Sequence, residues 1–121
     1  MKKHRYCFDI DKTILFCDEN YDNCKVDKEI KELINSLYKS GHTIILHTAR
    51  KMETFKGNVR LARKSIEAKT KTQLKFFGIM YHEIYFGKPS ADIYIDDKGV
   101  NVLNIKRKFK NGRSKSRQAY K

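Results

Sequence analysis

The chain has 121 residues, which is room for one domain core of ordinary size. Its 40% apolar content is too high for a disordered chain, and no run approaches the roughly 20 apolar residues of a membrane span. Lys and Arg outnumber Asp and Glu by 27 to 14, and the net charge of +13 points to an anionic partner: nucleic acid, a phosphorylated substrate or an acidic membrane surface.

The chain opens on Met1-Lys-Lys-His-Arg5, which has the charge of an export signal. Asp9 and Asp11 break the apolar stretch that should follow, so export is not expected. Tyr6-Cys-Phe-Asp-Ile10 reads as a first strand. A looser stretch from Phe16 to Val26 surrounds a polar cluster, Asp18 to Asn23. Cys7, Cys17 and Cys24 are odd in number and lack metal-ligand spacing, which suggests reduced thiols and a cytoplasmic setting. Next comes an amphipathic helix. Ile30, Leu33, Ile34, Leu37 and Tyr38 share one face, Asp27 is placed to cap the start, and Gly41 to stop the end.

Thr43 to Thr48 is a nearly continuous apolar run, as in a strand of a parallel sheet buried on both faces. A second helix is expected from Asn58 to Phe77, with Val59, Ala62, Ile66, Gln73, Leu74 and Phe77 facing inward. Gly78 ends it. Glu83 to Phe86 and Asp92 to Asp96 are further strand candidates, and Val100 to Ile105 is one more. This rhythm predicts an α/β fold, a parallel sheet flanked by helices, with ligands at the carboxyl ends of the strands. Residues 106–121 differ from the rest. They carry eight basic residues and no acidic one, while residues 1–105 hold 19 basic and 14 acidic residues, a net of +5. The expected organisation is a core over 1–105 and a basic, mobile tail over 106–121.

Two acidic pairs follow apolar runs. Asp9-Ile-Asp11 ends the first strand, and Asp96-Asp97 ends the run Ile93-Tyr-Ile95. Each pair alone has the composition of a surface turn. Together, at two strand ends of one small sheet, they would converge, and their repulsion would be relieved by a hard cation such as Mg²⁺. Between them, Thr48 with the backbone N–H of Ala49, and Lys88, can neutralise a phosphoryl group.

Taken in order, Asp9-x-Asp11-x-Thr13, Ile44-Ile-Leu-His-Thr48, Lys88 and Ile93-Tyr-Ile-Asp96-Asp97 resemble the motifs of the haloacid dehalogenase (HAD) superfamily of phosphohydrolases. The wider strings from Gly41 to Arg50 and from Phe86 to Lys98 resemble its small capsule-biosynthesis or sugar-phosphate phosphatases. The resemblance implies a Rossmann-like core and a hydrolase that acts through an aspartyl phosphate. Asp9 would be the nucleophile and Asp11 the general acid and base. Mg²⁺ would be held by Asp9, the backbone carbonyl of Asp11 and the acidic pair, Asp97 directly and Asp96 in support. Thr13, Arg50 and Lys98 are further candidates for substrate contact or for support behind the site, against the plainer reading of Arg50 and Lys98 as surface charge. Lys12 stands where the family usually carries Gly.

No stretch between the motifs is long enough for a cap domain. The expected site is open, covered at most by residues 16–26, and a second copy of the chain is a candidate lid. The leading expectation is a Mg²⁺-dependent phosphomonoesterase acting on a small phosphorylated metabolite. A polynucleotide end phosphatase using the basic tail is the alternative, and a non-catalytic nucleic-acid-binding module a more distant one.

Overall fold

A computed structural model of the protein describes residues 2–109. The basic tail lies, beyond residue 109, outside the described residues. The chain divides into two units, Met1–Ala91 and Asp92–Lys121.

In the first unit, strand β1 (Arg5–Asp9) leads into a short antiparallel hairpin of β2 (Leu15–Cys17) and β3 (Cys24–Val26). Helix α1 (Lys28–Lys39), strand β4 (Thr43–Thr48), helix α2 (Val59–Phe76) and strand β5 (Glu83–Phe86) follow. The main sheet has the order β1-β4-β5 and both of its pairings are parallel. Each parallel step crosses through a helix, as it must: a two-residue turn cannot return the chain to the same end of the sheet. The result is a mixed α/β architecture.

Local chemistry explains the element ends. Asp27 accepts a hydrogen bond from the Ile30 amide at 3.1 Å and caps α1, and Gly41 follows its C-cap with φ +93°. Asn58 caps α2 by accepting from the Leu61 amide. Helix α1 packs against β4 and α2 against β5. The core is built from Ile30, Leu33 and Ile34 of α1, Ile44 and Leu46 of β4, and Ala62, Ile66 and Leu74 of α2. Each such Ile or Leu side chain contributes about 1.5–3 kcal/mol on burial. Strand β4 is fully buried on one face only. Ile44, Leu46 and Thr48 are buried, while Ile45 and His47 are half-buried. On α2 the buried stripe is Ala62, Ile66, Thr70 and Leu74, and Val59, expected inside, is exposed at the helix mouth.

Three expectations are corrected. Residues 92–97 do not form a strand; Asp96 instead accepts a hydrogen bond from the Lys98 amide at 2.7 Å, a local turn that competes with an extended ladder. Residues 102–109 are helical rather than extended, and Asn101 opens that stretch by accepting from the Leu103 amide. Cys17 and Cys24 are joined by a disulfide rather than held as thiols. The hairpin register sets them directly opposite, with Cα atoms 4.0 Å apart. Among the described residues, no helix is long and apolar enough to cross a membrane.

Candidate active site

Strands β1, β4 and β5 end at Asp9, Thr48 and Phe86, so one end of the sheet gathers the polar residues that follow them. Register brings Asp9 beside His47 and Thr48 beside Phe86. Beyond β5 the chain turns at Gly87, with φ +101°. The Thr48 carbonyl accepts from both the Gly87 and Lys88 amides, at 3.2 and 3.1 Å. That double bond to one oxygen hangs Lys88 from the end of β4. Its Nζ reaches 3.4 Å from Asp9 Oδ1.

Asp11 is fixed from another direction. Thr48 Oγ1 donates to Asp11 Oδ2 at 2.9 Å, and Arg50 Nε donates to Asp11 Oδ1 at 2.8 Å. The Arg50 amide in turn donates to Thr48 Oγ1 at 3.0 Å. Lys12, the next residue, takes the left-handed conformation, φ +62°, that Gly accepts without strain. Its amide donates to the Leu15 carbonyl at 2.8 Å, which closes the turn. Thr13 is half-buried in this turn, its amide directed at the Ile10 carbonyl, and Ala49 is half-buried between Thr48 and Arg50.

The Arg50 side chain is not surface charge: its relative exposure is 0%. Sequence reasoning missed the groups that hold it there, Tyr21, Thr70, Gln73 and Cys17. A usable signal existed for two of them, because Thr70 and Gln73 are polar residues on the inward stripe of an otherwise aliphatic helix face. The Tyr21 ring lies 4.4 Å from the guanidinium carbon, a cation–π contact.

Electrostatics distinguish the groups. Burial pushes the Asp9 carboxyl above the ordinary carboxylate range, with Lys88 and His47 opposing and Asp11 assisting. Burial lowers the His47 imidazole, and Lys88 adds to that. Asp96, in the second unit, is held low chiefly by the hydrogen bond it accepts from the Lys98 amide.

The donors can be tested against Mg²⁺. Both Asp11 side-chain oxygens are engaged by Arg50 and Thr48, which leaves its backbone carbonyl as the donor that residue can offer. Burial disfavours the ionised form of Asp9, and a hard cation beside it would offset that penalty. Among the described residues, no cluster of three or more His, Cys, Asp or Glu could hold a metal. Asp9 and the Asp11 carbonyl are hard oxygen donors, the type Mg²⁺ takes while keeping several of its waters.

No family model matches the chain, and no curated protein matches it. The fold is similar to that of the crystal structure of an MCSG target from Vibrio cholerae. The two are 26% identical with a TM-score of 0.80, over 85% of this chain and 87% of that one.

Proposed function

We propose that the protein is a Mg²⁺-dependent phosphomonoesterase of the HAD type, acting on a small phosphorylated metabolite through an aspartyl phosphate. The observation that carries this reading is the arrangement at one end of the sheet: Asp9 beside Lys88 Nζ, and Asp11 held by Thr48 and Arg50.

In this reading an Asp9 oxygen attacks phosphorus while the bond from phosphorus to the ester oxygen breaks. Once the Thr48 hydroxyl turns away, Asp11 Oδ2 is free to carry a proton, which it gives to that departing oxygen. In the second step Asp11 takes a proton from water, the water oxygen attacks phosphorus, and the acyl phosphate bond breaks to return Asp9 and release phosphate. Lys88 neutralises the phosphoryl oxygens, and the Thr48 hydroxyl rotates from Asp11 toward them when substrate enters. Asp9 and the Asp11 carbonyl would hold the Mg²⁺; the resemblance of the sequence motifs, Ile93-Tyr-Ile-Asp96-Asp97 among them, assigns Asp97 as a further ligand and Asp96 as its support. When bound, the ion supplies positive charge against the transferring group. Lys98 is kept as a candidate substrate contact, and a second copy of the chain as a candidate lid.

The test is a panel of phosphate monoesters assayed with Mg²⁺ and again with EDTA, for the native protein and for Asp9→Asn and Asp97→Asn. Turnover that needs Mg²⁺ and vanishes in Asp9→Asn is expected. Absence of hydrolysis across the panel, or equal hydrolysis by Asp9→Asn, sinks the reading.

A further inference from the structure

We propose that Arg50 is a positioning residue rather than a substrate contact, and that Gln73 and Thr70 of α2 set its orientation so that Asp11 stays aimed for proton transfer. The inference rests on the phosphatase reading above and adds a part to it.

Every nitrogen of the buried guanidinium is directed at a protein acceptor. Nε donates to Asp11; Nη1 donates to Gln73 Oε1 at 2.8 Å and to Thr70 Oγ1 at 3.1 Å; Nη2 points at Cys17 Sγ, 3.4 Å away. A guanidinium with no exposed surface, and with an acceptor on each of its three nitrogens, cannot meet a ligand without disturbing this set.

The acceptors are themselves fixed. Thr70 donates its own proton to the Ile66 carbonyl at 2.8 Å, so a lone pair remains for Arg50. Gln73 donates through Nε2 to the Tyr21 carbonyl. Arg50 can only donate and a carbonyl can only accept, so the Gln73 amide has one workable orientation. The clamp therefore joins α2, the hairpin and the loop after β4 onto one carboxylate. Burying a guanidinium is costly unless it is fully paired, which accounts for the number of partners.

Leaving-group dependence separates positioning from a general structural role. Proton donation matters for an alkyl phosphate, whose alkoxide leaves poorly, and hardly at all for para-nitrophenyl phosphate. General acid catalysis is worth roughly 10²–10⁴-fold. Gln73→Leu, Thr70→Val and Arg50→Lys are assayed on both esters, with folding checked by circular dichroism. A fall in kcat on the alkyl ester that exceeds the fall on the aryl ester by about 10-fold or more, with KM nearly unchanged, is expected. Equal losses on both esters, or a change confined to KM, overturns the clamp. Gln73 is only half-buried, so its variant keeps the test usable if Arg50→Lys does not fold. If the native protein hydrolyses both esters and Asp9→Asn neither, the underlying reading stands whatever the clamp variants show. If the native protein hydrolyses neither, the reading and the clamp fall together.

Discussion

Replacing Gly87 by Ala perturbs the site through backbone and packing at once, and the two effects can be separated. Gly87 has φ +101°, a region L-residues rarely adopt, and such strain costs about 1–3 kcal/mol. A Cβ built there would lie 2.6 Å from Val59 Cγ1 and 2.8 Å from Cγ2, and overpacking of this kind costs a further ~1–3 kcal/mol. Gly87→Ala should therefore lose about 4 kcal/mol, the sum of mid-range values. For a domain of this size that lowers Tm by roughly 12 °C or more. Val59 is 44% exposed, so Val59→Ala alone should cost less than about 1 kcal/mol. In the double variant the collision disappears and the strain remains, so about 1–2 kcal/mol of the loss should return. Urea denaturation of the four proteins measures all terms. Gly87→Ala within about 1 kcal/mol of native, or no recovery in the double variant, would refute the reasoning.

The other predictions concern the hairpin, Asp9 and the turn at Lys12. Thiol titration of the unfolded, unreduced protein should find one reactive cysteine, Cys7, because Cys17 and Cys24 are bonded. Cys17→Ser with Cys24→Ser should lower stability by about 2 kcal/mol, the entropy of a short closed loop, and three titratable thiols in the native protein would contradict the pairing. Burial raises the Asp9 carboxyl, so the folded state binds that proton more tightly than the unfolded chain does. Without metal, the stability this gives is full below the unfolded value of 3.8 and is lost as pH rises through the raised folded value. The stability of native protein minus that of Asp9→Asn, measured in EDTA, should therefore fall with rising pH across that window, and a rise would count against it. At Lys12, φ +62°, Gly should gain up to about 1 kcal/mol and Val should lose about 1 kcal/mol, and the reverse order in thermal melts would be inconsistent with the left-handed turn.

What could be read in the sequence was local. Asp27 and Gly41 bound α1 because capping depends on neighbours within four residues. The apolar runs that became β1 and β4 were legible for the same reason, as was the order of Asp9, Asp11, Thr48 and Lys88 along the chain. Arg50 was not, because its burial needs acceptors from three separate elements, and only folding brings them together. The Cys17–Cys24 bond escaped because it depends on a hairpin register. The turn between them is organised by Asp18, which accepts from the Asp22 amide and the Asn23 side chain. Residues 92–96 show how alternation can mislead. Ile93 and Ile95 have the period of a strand, but extended backbone needs a neighbouring ladder, and the Asp96 side chain offers its own backbone a turn instead.

The Thr48 carbonyl that accepts from both Gly87 and Lys88 has a dynamic consequence. Loops ordinarily open to solvent with little cost, independently of the elements they join. Here the amide of the site lysine is tied to the last residue of β4, next to the last β4–β5 pair, Thr48 with Phe86. Its exchange with deuterium requires the bond to the β4 end to open, so the exchange rate of the Lys88 amide reports how firmly this turn is fastened to the sheet edge.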